Sequence, residues 1–183
     1  ELEDGFLVEI GSEAGRMALE GLPLQLARAF WHQTVQKGLE EAEAKMGRML
    51  PNPEQLPELL LNNLEALHWD DVARRCMSCT NCTQVCPTCF CWDVRDPSDL
   101  DGQNTARERV WDSCFNPDYS YIAGGNLRPS TRSRYRQWLT HKFGSWQAQF
   151  DVKGCVGCGR CITWCPAGID VTVELAAIRQ EVG

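Results

Sequence analysis

The sequence predicts an α+β fold, in which a mainly helical segment precedes a cysteine-rich domain. Apolar residues between Leu24 and Leu50 recur at helical spacing, whereas residues 6–10 alternate weakly, as in a short strand. Ten of the 11 cysteines lie in two tight groups, at 76–91 and 155–165. We therefore assign residues 1–68 to the helical segment and residues 69–183 to the cysteine-rich domain. Residues 92–150 form a long insertion between the two groups.

Further helices are expected around the cysteine groups. Ser12 can cap a helix that runs to about Glu20. The remaining helical patterns are a stretch bearing Leu59, Leu60, Leu64 and Leu67, a short helix from Trp69 to Arg75, and helices at 131–147 and Val171–Val182. Residues 93–130 are rich in turn signals. The chain begins at Glu1 inside an acidic and apolar pattern, so we expect the helical segment to continue a longer upstream domain.

Both cysteine groups contain the run C-x2-C-x2-C-x3-C-P. The first run is Cys76, Cys79, Cys82, Cys86 and Pro87, and the second is Cys155, Cys158, Cys161, Cys165 and Pro166. This spacing is that of bacterial ferredoxins with two [4Fe-4S] clusters, in which the fourth cysteine of each run ligates the other cluster. Three closely spaced thiolates wrap around three irons of a cube, and the fourth approaches from elsewhere.

The spacing therefore predicts two [4Fe-4S] clusters with crossed ligation. Cluster 1 takes Cys76, Cys79, Cys82 and Cys165, and cluster 2 takes Cys155, Cys158, Cys161 and Cys86. Crossing brings the clusters close together and loops the insertion out of a ferredoxin-like core. Paired C-x2-C elements also bind zinc, usually with four ligands per ion. The repeated fourth cysteine before proline favours iron–sulfur clusters over zinc.

Three cysteines stand outside the two runs. Cys89 and Cys91 follow the first run directly, and Cys114 lies in the insertion. A buried free cysteine is common, and this is the simplest interpretation of Cys114. The Cys89–Cys91 pair could instead join other ligands in a third iron–sulfur cluster.

Charge and hydropathy exclude several classes of protein. The net charge of −7 makes the chain a poor nucleic-acid binder, because phosphate contacts need lysine and arginine. No apolar run approaches the ~18 residues of a membrane span, and a thiol-rich chain without an export signal is typical of the cytoplasm. One basic stretch is Arg128, Arg132, Arg134, Arg136 and Lys142. It is either a solvated helix face or a docking face for an acidic partner or an anionic cofactor.

The motifs resemble a known family. The strings CMSCTNCTQVCPTCFCWDV, WDSCF, AGGNLRPSTRSRYRQWLTHKF and GCVGCGRCITWCPAGIDV are similar to the dicluster 4Fe-4S proteins. That family includes the beta subunit of cytosolic NiFe hydrogenases (sulfhydrogenases) and the A subunit of anaerobic sulfite reductase. The resemblance covers roughly residues 70–175 and, more loosely, the opening residues. It implies a partner subunit that binds FAD and NAD(P), together with a hydrogenase small subunit or a sulfite reductase catalytic subunit.

We therefore expect an electron-transfer subunit within a cytoplasmic hetero-oligomeric oxidoreductase, most in keeping with a NiFe hydrogenase. The chain has no GxGxxG and no GxxxxGK[ST] fingerprint, and we assign it no catalytic residue. One alternative is the corresponding subunit of an anaerobic sulfite reductase or another flavin-linked reductase. An alternative of another class is an iron–sulfur enzyme with its own catalytic cluster, for which Cys89, Cys91 and Cys114 are the candidates.

Overall fold

The computed structural model describes residues 1–183 and divides them into two compact units, Glu1–Met49 and Leu50–Gly183. The division falls before the sequence boundary at residue 68, because Leu56 and Leu60 are buried in the same core as Trp69. None of the helices combines the length and the apolar character needed to cross a bilayer.

The first unit contains two helices and buries no side chain. The hydroxyl of Ser12 accepts a hydrogen bond from the Gly15 amide (3.1 Å) and caps α1, Glu13–Ala18, as predicted. Helix α2 spans Ala29–Ala44 and is shorter than its apolar pattern. The strand predicted at residues 6–10 was wrong. No strand or bridge forms at these residues, and the isolated bridge between Leu2 and Gly5 lies just before them, because a lone alternating stretch without a partner strand has no ladder to join.

The second unit is a mixture of short helices and two small hairpins. A 3₁₀ turn, Pro53–Gln55, leads into α3, Leu56–Asn62. The elements that follow are α4 His68–Arg75, α5 Asn81–Gln84, β1 Trp92–Arg95, β2 Glu108–Trp111, β3 Tyr121–Ile122, β4 Gly125–Asn126, α6 Thr131–Thr140, a π-helical turn His141–Ser145, α7 Trp146–Phe150, α8 Arg160–Thr163 and α9 Val171–Val182. The short helices predicted before the first cysteine run and at the end of the chain are thus confirmed.

The core of this unit is formed where α4 packs against α6 and α9. Trp69 of α4, Leu139 of α6 and Leu175 of α9 are fully buried, and the Trp69 indole N–H donates to the Asn63 carbonyl (2.9 Å). Helix α4 precedes the first cysteine run and α9 follows the second. The core therefore fixes the two runs relative to each other.

Polar contacts reinforce the pairing of α4 with α9. The carboxylate of Glu181 accepts hydrogen bonds from the backbone amides of Leu67 and His68 (2.7 and 2.9 Å), at the N-terminus of α4. The buried carboxylate of Glu174 accepts from the Arg75 guanidinium (3.0 and 2.8 Å) and lies 2.7 Å from His68 Nε2. Free N-terminal amides and a carboxylate attract each other, so these contacts hold α4 against the last helix.

The insertion is only partly looped out. Its first half forms two antiparallel hairpins, β1 with β2 and β3 with β4, in the region predicted to consist of turns. Its second half, predicted as one helix, is α6, the π-helical turn and α7. Tyr135, Trp138 and Leu139 of α6 are buried in the core. The prediction that the whole insertion lies outside the core is therefore corrected for residues 131–150, because α6 carries an apolar face that must be covered, and also for Cys114 and Phe115, which are buried in the same core.

Candidate iron–sulfur cluster site

The two cysteine runs share one backbone conformation. Ser78 and Thr80 in the first run have left-handed φ angles of 50° and 66°, and Gly157 and Gly159 at the matching positions of the second run have 70° and 69°. Left-handed φ turns the chain sharply and is uncommon outside glycine. The Ser78 amide donates to Cys76 Sγ (3.5 Å). The matching Gly157 amide donates to Cys155 Sγ (3.4 Å). The sequence repeat is thus also a repeat of structure.

The two repeats pack against each other through their short helices. Helix α5 carries Cys82, α8 carries Cys161, and the two helices are in contact. The amide side chain of Asn81 donates to the backbone carbonyl of Trp164 across this contact. The end of each run therefore lies beside the start of the other.

A cavity that is partly open to solvent is lined by Cys76, Cys79 and Cys82 of the first run and by Cys161 and Cys165 of the second. Burial and the neighbouring thiols Cys76, Cys161, Cys79 and Cys165 raise the pKa of Cys82. The thiols surround the space rather than meeting at a point, and no three His, Cys, Asp or Glu side chains can hold a single metal ion. The structure thus brings together the four residues that the sequence assigned to cluster 1, together with Cys161 from the set assigned to cluster 2.

The walls of this cavity contain two buried hydrogen-bond donors without an acceptor. Tyr135 and Trp138 line the cavity, and neither the Tyr135 hydroxyl nor the Trp138 indole N–H has a partner. Burial raises the pKa of Tyr135 well above its ordinary value, so the hydroxyl keeps its proton. Unpaired buried donors are costly and rare. The sulfur atoms of a bound cluster are suitable acceptors, so the Tyr135 hydroxyl and the four thiols together fit a [4Fe-4S] cluster.

The remaining four ligand candidates also lie near one another. Burial raises the pKa of Cys161 to about 11, and the nearby Cys155, Cys86 and Cys158 thiols add to the effect. Cys161 also lines the first cavity. The second group of thiols is therefore adjacent to the first.

Cys86 lies in a polar environment that stabilises its thiolate. A hydrogen bond from the Cys89 thiol lowers the pKa of Cys86 to about 4, against the opposing effect of burial. The Thr88 hydroxyl (3.2 Å) and the Lys142 ammonium (3.3 Å) also contact Cys86 Sγ. A stabilised thiolate is the form that binds metal.

Lys142 is the site residue that the sequence interpretation missed. Its side chain is buried in the π-helical turn, and its ammonium also donates to the Thr88 hydroxyl (3.0 Å) and the Gly154 carbonyl (2.9 Å). Burial disfavours its charge, but the interactions of the ammonium with the neighbouring Cys89 and Cys86 sulfurs outweigh this and raise its pKa. Spacing carried a signal, since Lys142 follows Tyr135 and Trp138 at helical intervals on the apolar side.

The basic stretch is therefore not a solvated face. Arg134 is buried and donates to the carbonyls of Arg128 and Pro129 (3.1 and 2.9 Å). Arg132 and Arg136 bind Glu65 (3.0 and 2.8 Å). These three arginines make their hydrogen bonds and ion pairs within the second unit.

Cys89, Cys91 and Cys114 line a separate cavity. A hydrogen bond from Cys114 lowers the pKa of Cys91 to about 6, whereas the same contact and burial raise the pKa of Cys114. The structure thus brings the three extra cysteines together, although Cys114 is far from the other two in sequence. The cavity has three thiols and no fourth.

Gly154 is required by the packing beside cluster 2. A Cβ atom at this position would clash with the Lys142 carbonyl oxygen and lie 2.7 Å from the Trp146 ring. Overpacking of this kind costs about 1–3 kcal/mol or more. We expect Gly154→Ala to lower the iron content by destabilising the cluster next to Cys155, whereas Gly124→Ala, where a Cβ meets nothing within 4 Å, should leave it unchanged. Equal iron in the two variants would contradict this role for Gly154.

Comparison with known proteins agrees with this geometry. A family model described as a 4Fe-4S dicluster domain matches residues 75–169, which include both cysteine runs and the insertion. The chain belongs to the 4Fe-4S dicluster domain family. This confirms the family resemblance predicted from the motifs.

The chain is also similar to a curated protein, sulfhydrogenase 2 subunit beta from Pyrococcus furiosus. The two are 34% identical over 189 aligned residues, which cover 98% of this chain and 54% of the relative. The chain thus spans about half the length of the relative that it matches. No solved structure matches the chain.

Proposed function

We propose that this chain is an electron-transfer subunit that passes single electrons through two [4Fe-4S] clusters. The observation that carries the proposal is the pairing of the two repeats, in which Cys165 lies with Cys76, Cys79 and Cys82 around one cavity. Its counterpart Cys86 lies near Cys161. This exchange of fourth thiols supports crossed ligation.

The adjacency of the two thiol groups supports a two-step electron path. Cys161, a proposed ligand of cluster 2, lines the cavity of cluster 1. When bound, [4Fe-4S] clusters supply one-electron chemistry. The chain's own residues hold the clusters, donate hydrogen bonds to them, and enclose them with apolar walls such as Phe115 and Ile169.

We further propose that the electrons run between a subunit that binds FAD and NAD(P) and a catalytic subunit of a cytoplasmic hydrogenase. The name of the sulfhydrogenase beta subunit favours a hydrogenase-type, hetero-oligomeric complex over the corresponding anaerobic sulfite reductase. An enzyme with its own catalytic cluster is a second candidate, favoured only by the convergence of Cys89, Cys91 and Cys114 on one cavity.

The first test is to quantify iron and acid-labile sulfide in the anaerobically prepared chain and to record EPR spectra after dithionite reduction. About eight irons per chain with a spin-coupled signal is the expected result. About twelve irons would add a third cluster at Cys89, Cys91 and Cys114. Zinc in place of iron would overturn the proposal, and hydrogen or sulfite turnover by the isolated chain would favour the catalytic alternative.

A further inference from the structure

The two proposed cluster sites differ in the charge of the side chains around them. No lysine or arginine lines the cavity of cluster 1, where the Tyr135 hydroxyl is a neutral unpaired donor. Beside cluster 2, the Lys142 ammonium lies 3.3 Å from Cys86 Sγ. The matching sulfur of cluster 1, Cys165 Sγ, instead accepts a hydrogen bond from the neutral backbone amide of Ile169 (3.4 Å).

Lys142 is buried without a carboxylate among its hydrogen-bond partners. Its three partners are the Cys86 sulfur, the Thr88 hydroxyl and the Gly154 carbonyl, and its ammonium also lies 5.3 Å from the centre of the Trp146 ring. Only 5% of the residue is exposed. A buried charge requires compensation, and the proposed Cys86 thiolate is the anion in contact with it.

The π-helical turn positions the Lys142 ammonium beside Cys86. It spans His141–Ser145 between α6 and α7, and Gly144 within it lies against Leu61 of α3. The Thr88 hydroxyl donates to the Gly154 carbonyl (2.8 Å), so Lys142 and Thr88 together tie the end of the first run to the start of the second. The ammonium is therefore held in place on both sides, and π-helical turns are frequently found at functional sites.

We propose that Lys142 is a tuning residue that raises the reduction potential of cluster 2 above that of cluster 1. This inference rests on the proposed ligation of cluster 2 by Cys86. Reduction adds one electron, and hence one negative charge, to the cluster. A buried ammonium beside a ligand sulfur stabilises that added charge, and hydrogen bonds to ligand sulfurs are an established means of setting cluster potentials. At equilibrium, the first electron that the chain accepts then reduces cluster 2.

The test is an EPR-monitored redox titration of the full chain, in which the wild type should give two one-electron couples. Lys142→Met should lower the equilibrium constant for reduction at the higher couple at least tenfold, about 59 mV for a one-electron couple. The lower couple should move much less. Lys142→Gln, which keeps hydrogen-bond donors but not the charge, should shift the same couple, and Lys142→Arg should retain most of the wild-type potential.

Lys153→Met is the matched control. Lys153 lines the same surface cavity as Lys142 and Cys155, but its side chain is 66% exposed and paired with Glu54, so neither couple should move. Unchanged couples in Lys142→Met, or an equal shift of both, would overturn the proposal. Loss of the clusters in both charge-removing variants would assign Lys142 a structural role and also overturn it. A wild type without two couples would instead refute the proposed function.

Discussion

Adding Cys165→Ala to a chain that already lacks Cys76 and Cys79 should cost no further iron. The double variant Cys76→Ala, Cys79→Ala removes two proposed ligands of cluster 1, so the iron content should fall from about eight to about four per chain. If Cys165 ligates cluster 1, its removal affects only the cluster that the double variant has already lost. Its position in the cavity lined by Cys76, Cys79 and Cys82 is the basis for this expectation.

The reciprocal experiment removes Cys86. In the same double variant, Cys86→Ala should destroy the remaining cluster, because Cys86 is the proposed fourth ligand beside Cys155, Cys158 and Cys161. Cys114→Ala, placed outside both ligand sets, is the control and should keep about four irons in this background. Local ligation predicts the opposite pattern, in which Cys165→Ala empties the chain and Cys86→Ala does not. Iron analysis with EPR of the reduced protein distinguishes the two schemes.

The ligand residues could be predicted because their information is local. Cysteines two and three residues apart define a run without any knowledge of tertiary structure. Helices α4 and α9 could be predicted in the same way, because α4 ends directly before the first cysteine run, α9 begins shortly after the second, and each carries buried apolar residues. The closeness of Cys165 to the first run came only from the ferredoxin precedent, and the structure supplies the contact between α5 and α8 that accounts for it.

The features that could not be predicted from the sequence depend on tertiary contacts. The strands β1 and β2 are largely exposed on both faces, so they lack the alternation that marks a half-buried strand. Lys142 was grouped with the arginines because a lysine is normally solvated, and only folding places it against Cys86. Glu174 likewise had no sequence signal, since its partners His68 and Arg75 are about 100 positions away.

Glu174→Ala should strongly destabilise the second unit. The Glu174 side chain is 3% exposed and links α9 to both His68 and Arg75 of α4. Breaking a buried ion pair from one side costs about 3–5 kcal/mol, because the remaining partner loses its compensation. We expect the lower end, since the Arg75 side chain is 41% exposed and also binds Asp71 (3.1 Å). For a domain of this size, about 3 kcal/mol corresponds to a fall in Tm of about 6–12 °C.

Glu65→Ala provides a matched control for this prediction. Glu65 also binds two arginines, Arg132 and Arg136, but its side chain is 79% exposed, and exposed ion pairs contribute little because water and salt screen them. Anaerobic thermal unfolding of the two variants, followed by circular dichroism and by cluster absorbance, should show a large loss for Glu174→Ala only. Similar Tm values would mean that the pairing of α4 with α9 depends on the apolar core of Trp69 and Leu175 rather than on the buried carboxylate.

The cluster absorbance in the same unfolding experiment adds a second criterion. Because α4 leads into Cys76 and α9 follows Cys165, separation of these helices should release cluster 1 at the same temperature at which the helical signal is lost.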